Sequence, residues 1–240
     1  MYSIFHTSFC GSTLLSVLLS KSIPTLTEPD WTLHCQFLKD KTEISNYLKN
    51  NFKENTLIKF PSSLCYLAPI IDNKKVFIYR SLKEHLKKTL YNYKNYSDFF
   101  QINSKVLNII YNNLHPKNKK IDFNNSVLLL QAYFWVDRFL WILDSSNIHF
   151  INANDFFLNK ENKTKEICDF FKIEYIPIQI DYNVKKANLN RCNFYINENN
   201  VIKENKEEFK KEEIDNFNSK ELDDIILKIK DEFPSLKQFI

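Results

Sequence analysis

The single glycine of the chain lies in Ile4-Phe5-His6-Thr7-Ser8-Phe9-Cys10-Gly11-Ser12-Thr13-Leu14-Leu15. A β-type run, Tyr2 to Phe5, leads into it, and a helical spacing of leucines, Leu14, Leu15, Leu18 and Leu19, leads out. Strand, turn and helix start in that order form an anion cradle, because the first helical N–H groups lack intrahelical partners and the dipole is positive there. Glycine permits both the turn and the close approach of a ligand. Ser12 and Thr13 add hydroxyls, which can also serve as plain helix caps. Two cations fall at comparable places. Lys59 closes the run Thr56-Leu57-Ile58-Lys59, and Arg80 is the first charged residue after the apolar run Val76-Phe77-Ile78-Tyr79. Arg80, Arg138 and Arg191 are the only arginines among 33 basic residues. An arginine kept in a lysine-rich chain suggests a need for forked contacts to phosphate or carboxylate.

The loop is not the usual nucleoside-triphosphate loop, G-x-x-x-x-G-K-[ST]. His6 stands where its first glycine belongs, and no lysine separates Gly11 from Ser12. A plain ATPase or kinase is therefore disfavoured, and a shorter relative of that loop fits better.

At this point the sequence resembles the sulfotransferase family, whose 5′-phosphosulfate loop matches Ser8-Phe9-Cys10-Gly11-Ser12-Thr13-Leu14-Leu15. Further segments follow in the family's order: Leu26-Thr27-Glu28-Pro29, Thr56 to Pro61, Lys75 to Glu84, Asn147 to Phe156 with Asn154-Asp155-Phe156, and the basic stretch Lys185 to Phe194. The resemblance covers residues 1–195. It implies a P-loop-like three-layer α/β fold with a central parallel sheet. It also implies transfer of a sulfuryl group from 3′-phosphoadenosine 5′-phosphosulfate to a hydroxyl or amine of a small-molecule or carbohydrate acceptor, without a metal. On the same basis Cys10, Gly11, Ser12, Thr13 and Leu14 would hold the 5′-phosphosulfate. Arg80, Lys88, Thr89 and Arg191 would hold the 3′-phosphate. Glu28 is the expected base, His34 and His6 are its alternatives, and Lys59 would bring charge to the loop. Two positions depart from the pattern: Phe9 replaces a basic residue, and Lys88 replaces a serine. Other readings are a kinase or nucleotide-binding enzyme with a degenerate loop, an inactive relative that binds a partner, and a purely structural α/β domain.

Strand-like runs at 2–6, 56–59, 75–79 and 147–151 alternate with helical patterns at 12–20, 41–52, 82–91, 98–114 and 126–144. Such alternation predicts a parallel sheet covered on both faces, with ligands at the carboxyl ends of the strands. Ser81 and Glu84 are spaced as a capping box. Arg138, beside Asp137 in the apolar run Val127 to Leu143, is expected to serve packing or pairing. That run is interrupted by Gln131, Asp137 and Arg138, so it reads as a buried helix rather than a bilayer span.

Residues 1–196 read as one α/β domain, and 197–240 as a charged segment ending in an amphipathic helix, with Leu222, Ile225, Ile226 and Ile229 on one face. A net charge of +4 is too mild to argue nucleic-acid binding. Five scattered cysteines without metal-ligand spacing suggest reduced thiols in a cytoplasmic protein, and no secretory leader is visible. Cys10 is read chiefly as a small residue filling the loop. Acceptor contacts are expected from 30–40 and 91–125.

Overall fold

The computed structural model describes residues 1–8, 10–38, 40–92, 107–118, 126–178, 180–181, 194–196, 202–204 and 220–240. Its strands are β1 (Tyr2–His6), β2 (Thr25–Thr27), β3 (Leu57–Lys59), β4 (Lys74–Tyr79) and β5 (Ile148–Asn152). They form an all-parallel sheet in the order β2-β3-β1-β4-β5. Alternate residues serve its two faces, as the twofold period of a strand requires. Phe5, Ile58 and Phe77 enter one buried cluster. Ile4, Leu57, Val76 and Ile78 enter the other. The strands are therefore apolar on both sides, the pattern of a sheet between two helical layers.

Helix α1 (Ser12–Leu19) and helix α6 (Lys160–Phe171) cover the second face, through Leu14, Leu15, Leu18 and Leu19 and through Ile167 and Phe171. On the first face lie α3 (Leu82–Asn92), α4 (Val127–Leu143) and α7 (Lys220–Glu232), with α2 (Lys41–Asn51) supplying Ile44 and Leu48. Each large side chain fully buried in these layers is worth about 1.5–3 kcal/mol. The short helix α5 (Ala153–Leu158) follows β5 directly. The C-terminal helix packs where its apolar face predicts. Leu222, Ile225, Ile229 and Leu236 join the same cluster as Phe77 and Trp135. Three further strands, β6 (Ile180–Asp181), β7 (Phe194–Ile196) and β8 (Ile202–Glu204), form a separate small sheet in the order β6-β8-β7.

The chain leaves β1 through α1 for one edge of the sheet, and later crosses to β4 on the other side of β1. That reversal opens a crevice at the carboxyl end of β1, between β3 and β4, the place where parallel α/β sheets take ligands.

The α/β class and the central parallel sheet are as expected. Three local features differ from the sequence reading. β2 was not expected; it is a three-residue edge strand with Leu26 exposed, too short and too wet to show a period. The helices α5 and α6 were not expected either, because their stretch is mostly polar and buries only a narrow stripe. Of the expected helix 98–114, residues 107–112 are helical and 98–106 lie outside the described residues. No helix among the described residues is long and apolar enough to cross a membrane.

Candidate functional site

Every strand of the parallel sheet ends at one edge, and the loops leaving it carry most of the expected residues. Gly11 is the N-cap of α1, with φ 83° and ψ 13° in the left-handed region. No side chain caps the helix, and the first intrahelical bond runs from the Leu15 N–H to the Gly11 carbonyl, 3.0 Å. A Cβ at position 11 would lie 2.6 Å from Cζ of Phe157. Glycine is thus required twice, by its φ and by the ring of α5 that closes over it. Ser12 is buried and Thr13 half-buried, while Leu14 is a core residue whose contribution to the loop is its backbone. Cys10 is buried in the apolar cluster beneath α1, and burial pushes its thiol pKa up, opposed weakly by Ser12, Arg80 and Lys59. The thiol packs and is not activated.

A second group lies at the ends of β1, β2 and β3. His6 ends β1, Glu28 follows β2, and Lys59 ends β3. Lys59 is only 2% exposed, and its ammonium is paired with Oε1 of Glu28. Glu28 is fixed by its backbone as well: its N–H donates to the Lys59 carbonyl at 2.8 Å, and its φ of 48° is left-handed. Burial pushes the Glu28 carboxyl up, but the neighbouring His6 and the Lys59 charge outweigh it and hold the pKa down to about 2. His6 Nδ1 accepts the Ser8 N–H at 3.1 Å. The neutral ring therefore carries its proton on Nε2, which faces Glu28 Oε1 at 3.7 Å. Burial, and next the Lys59 charge, lower the His6 pKa to about 4. His6 is thus a neutral ring whose Nε2 faces Glu28 without a hydrogen bond, and its Nδ1 lone pair is spent on the loop backbone. Sequence reasoning offered His6 as an alternative base or as a core or loop-bonding histidine, and its Nδ1 does bond the loop.

On the other side of the loop stands Arg80. Its N–H donates to Thr7 Oγ1 at 3.2 Å, and its carbonyl accepts from Trp135 Nε1 at 2.9 Å. The guanidinium lies 5.6 Å from the Phe157 ring centroid and donates to Asn154 Oδ1 at 3.5 Å. Asn154 also donates to Glu84. The expected cap is present, since Ser81 Oγ accepts the Glu84 N–H at 3.4 Å. Sequence reasoning read Asn154 as part of a turn and passed over Phe157. Both stand within six residues of the end of β5, at the same sheet edge.

The remaining expected residues divide. Lys88 is half-buried on α3. Thr89 turns inward, 1% exposed, with its hydroxyl donating to the His85 carbonyl at 3.1 Å, so that hydroxyl is already spent. His34 sits on the 3-10 turn Asp30–Phe37, exposed, with its ring 5.1 Å from Tyr47 and 5.9 Å from Phe37. Arg191 and Phe9 lie outside the described residues. Arg138, expected to serve packing or pairing, is buried in α4 and makes no ion pair with Asp137. It donates to two loop carbonyls instead, those of Thr7 and Ser62. Among the described residues, no cluster of His, Cys, Asp and Glu could hold a metal ion.

Fold and site together define a three-layer parallel α/β protein with a glycine-bearing strand–turn–helix loop at its switch point. No protein-family model matches the chain, and no curated protein matches it. Among solved structures, a sulfotransferase from Alicyclobacillus acidocaldarius is similar, with a TM-score of 0.46 and 12% identity over 78% of this chain and 85% of that one. A likeness at that level bears on neither substrate nor residue roles.

Proposed function

We propose that the protein is a sulfotransferase using 3′-phosphoadenosine 5′-phosphosulfate, with a hydroxyl- or amine-bearing acceptor. The observation that carries the reading is the uncapped, glycine-bearing start of α1, flanked by Lys59 on one side and Arg80 on the other. A Cβ at Gly11 would meet the Phe157 ring, so the turn excludes a side chain there, and a phosphate-type anion suits backbone donors at such a helix start.

When bound, the donor supplies an activated sulfuryl group on a phosphate leaving group. The chain's share is positioning and charge neutralisation. The amides of Ser12, Thr13 and Leu14 and the hydroxyls of Ser12 and Thr13 hold the 5′ end. Arg80 holds the 3′-phosphate, with Lys88 on the following helix. Glu28 remains ionised throughout the neutral range, because its pKa is held at about 2. So weak a base accepts a hydrogen bond from the acceptor hydroxyl and takes its proton only as the new bond forms. Lys59, buried behind it, keeps that carboxylate in place and offers positive charge to the sulfuryl oxygens. His6 supports the loop through Nδ1, which accepts the Ser8 N–H, and lies beside Glu28 without bonding it.

The reading is tested by incubating the full chain with labelled sulfate donor and a library of hydroxyl- and amine-bearing metabolites. Transfer of label to an acceptor, lost in Gly11→Val, is the expected result. Absence of transfer to every acceptor, with no binding of 3′,5′-ADP, overturns it.

A further inference from the structure

Arg138, midway along α4, is a buried cation 5% exposed. Its Nε donates to the Ser62 carbonyl at 3.1 Å, and its Nη1 to the Thr7 carbonyl at 3.3 Å. Those carbonyls belong to the segments that leave β3 and β1, adjacent strands at the carboxyl edge. The same segments are joined by Ser8 Oγ, which donates to Ser62 Oγ at 2.7 Å. The neighbouring acid makes no ion-pair contact with the guanidinium, although its charge is felt there. Oδ1 of Asp137 accepts instead from the His115 N–H at 2.7 Å and from Asn118 Nδ2 at 3.3 Å. Among the described residues no carboxylate forms an ion pair with Arg138. A charge buried without a counter-ion is costly, and two carbonyls engage only part of its five donors.

We propose that Arg138 is a positioning residue of the anion cradle: it binds the Thr7 and Ser62 carbonyl oxygens, so they do not oppose the anion, and the anion balances its buried charge. This rests on the reading of the α1 loop as a phosphate-type site. The argument is electrostatic. A backbone turn that presents N–H groups also carries carbonyls, and a carbonyl left unbonded at the site repels the ligand. A guanidinium bonds two of them at once, which an ammonium cannot do with the same fork. Burial pulls the Arg138 pKa down, and of the neighbouring groups only the Asp137 carboxylate carries charge that pulls it back up. Asp137 bonds to His115 and Asn118 rather than to the guanidinium, which leaves an anion at the loop to add to its neutralisation.

The test uses Arg138→Lys and Arg138→Gln in the full chain, with calorimetric titration of 5′-AMP and of 3′,5′-ADP alongside thermal unfolding. Arg138→Lys keeps the charge and one bond. It should melt close to the wild type and weaken both nucleotides by the same factor, ~10-fold, on the scale of one charge-assisted bond. Arg138→Gln should weaken both further; if it does not fold, Arg138→Lys carries the test. Arg80→Ala should weaken only 3′,5′-ADP. Wild-type affinity for both nucleotides in Arg138→Lys, or a loss confined to 3′,5′-ADP, overturns the proposal. If the wild type binds neither nucleotide, the nucleotide reading fails by itself, and inorganic sulfate then tests Arg138 alone. Sulfate should raise the melting temperature of the wild type more than that of Arg138→Lys. Equal shifts, or no shift in the wild type, overturn the positioning role.

Discussion

Lys59 and Glu28, 31 positions apart in sequence, are bound to each other twice: ammonium to carboxylate, and Glu28 N–H to Lys59 carbonyl. The pairing joins the ends of β2 and β3 and leaves a buried cation with a half-exposed anion at the carboxyl edge. Glu28→Gln keeps the shape and removes the charge. Because Glu28 lies beside the loop and not on it, nucleotide affinity should stay within about twofold, while turnover with a competent acceptor falls by about 10²-fold, the scale of a lost proton acceptor. Equal losses in binding and turnover would place Glu28 on the nucleotide. Near-normal turnover in Glu28→Gln together with its loss in His34→Ala would move the base to His34.

Acid stability follows from the same group. Glu28 titrates at about 2 in the folded chain against an ordinary 4.5, so its contribution is whole above pH 4.5 and disappears as pH falls through about 2. His6 titrates at about 4 against an ordinary 6.5, so the unfolded chain takes up that proton first, and stability is lost as pH falls from 6.5 through 4. Melting temperature should therefore decline in two overlapping steps. His6→Asn, which retains an acceptor for the Ser8 N–H, should flatten the upper step and also reduce the lower, since His6 helps hold the Glu28 pKa down. An unchanged profile between pH 6.5 and 4 would show that His6 does not titrate as its surroundings dictate.

Gly11→Ala should lower stability by about 1–3 kcal/mol, from the left-handed φ and the contact with Phe157. For a chain of this size that is about 2–12 °C in melting temperature. In the double variant with Phe157→Ala the contact is gone and only the φ cost remains, so the two losses should not add. Strict additivity in a thermal-unfolding cycle would contradict the packing described for the loop.

How much of this was legible in the sequence depends on how local each feature is. The loop could be read because strand, glycine and helix lie within some fifteen residues, and each has its own signature. Arg80 could be read because it follows an unbroken apolar run. β2 could not, since three residues on a sheet edge carry no period. Thr89 was placed by spacing alone, and spacing does not reveal that a threonine hydroxyl bonds back to its own helix at His85. Arg138 was visible as a rare arginine in an apolar helix. Its work is done on Thr7, 131 positions earlier, and only the folded chain brings those together. The partnership of Phe157 with Gly11 is likewise a product of β5 pairing beside β4.

Arg80→Ala should weaken 3′,5′-ADP by ~10- to 100-fold, the worth of a charge-assisted phosphate contact, and leave 5′-AMP unaffected. The preference for a 3′-phosphate would then vanish in that one variant. Persistence of the preference in Arg80→Ala would assign the 3′-phosphate to other cations.

The central claim is that the α1 loop takes a 3′-phosphorylated adenine nucleotide. Calorimetric titration of the unmodified chain with 3′,5′-ADP, and separately with ATP and magnesium, addresses it without knowledge of the acceptor. Saturable binding of 3′,5′-ADP, tighter than that of ATP with magnesium, is the predicted result. Binding of ATP with magnesium in preference to 3′,5′-ADP would contradict the account and make the loop that of a kinase-like enzyme.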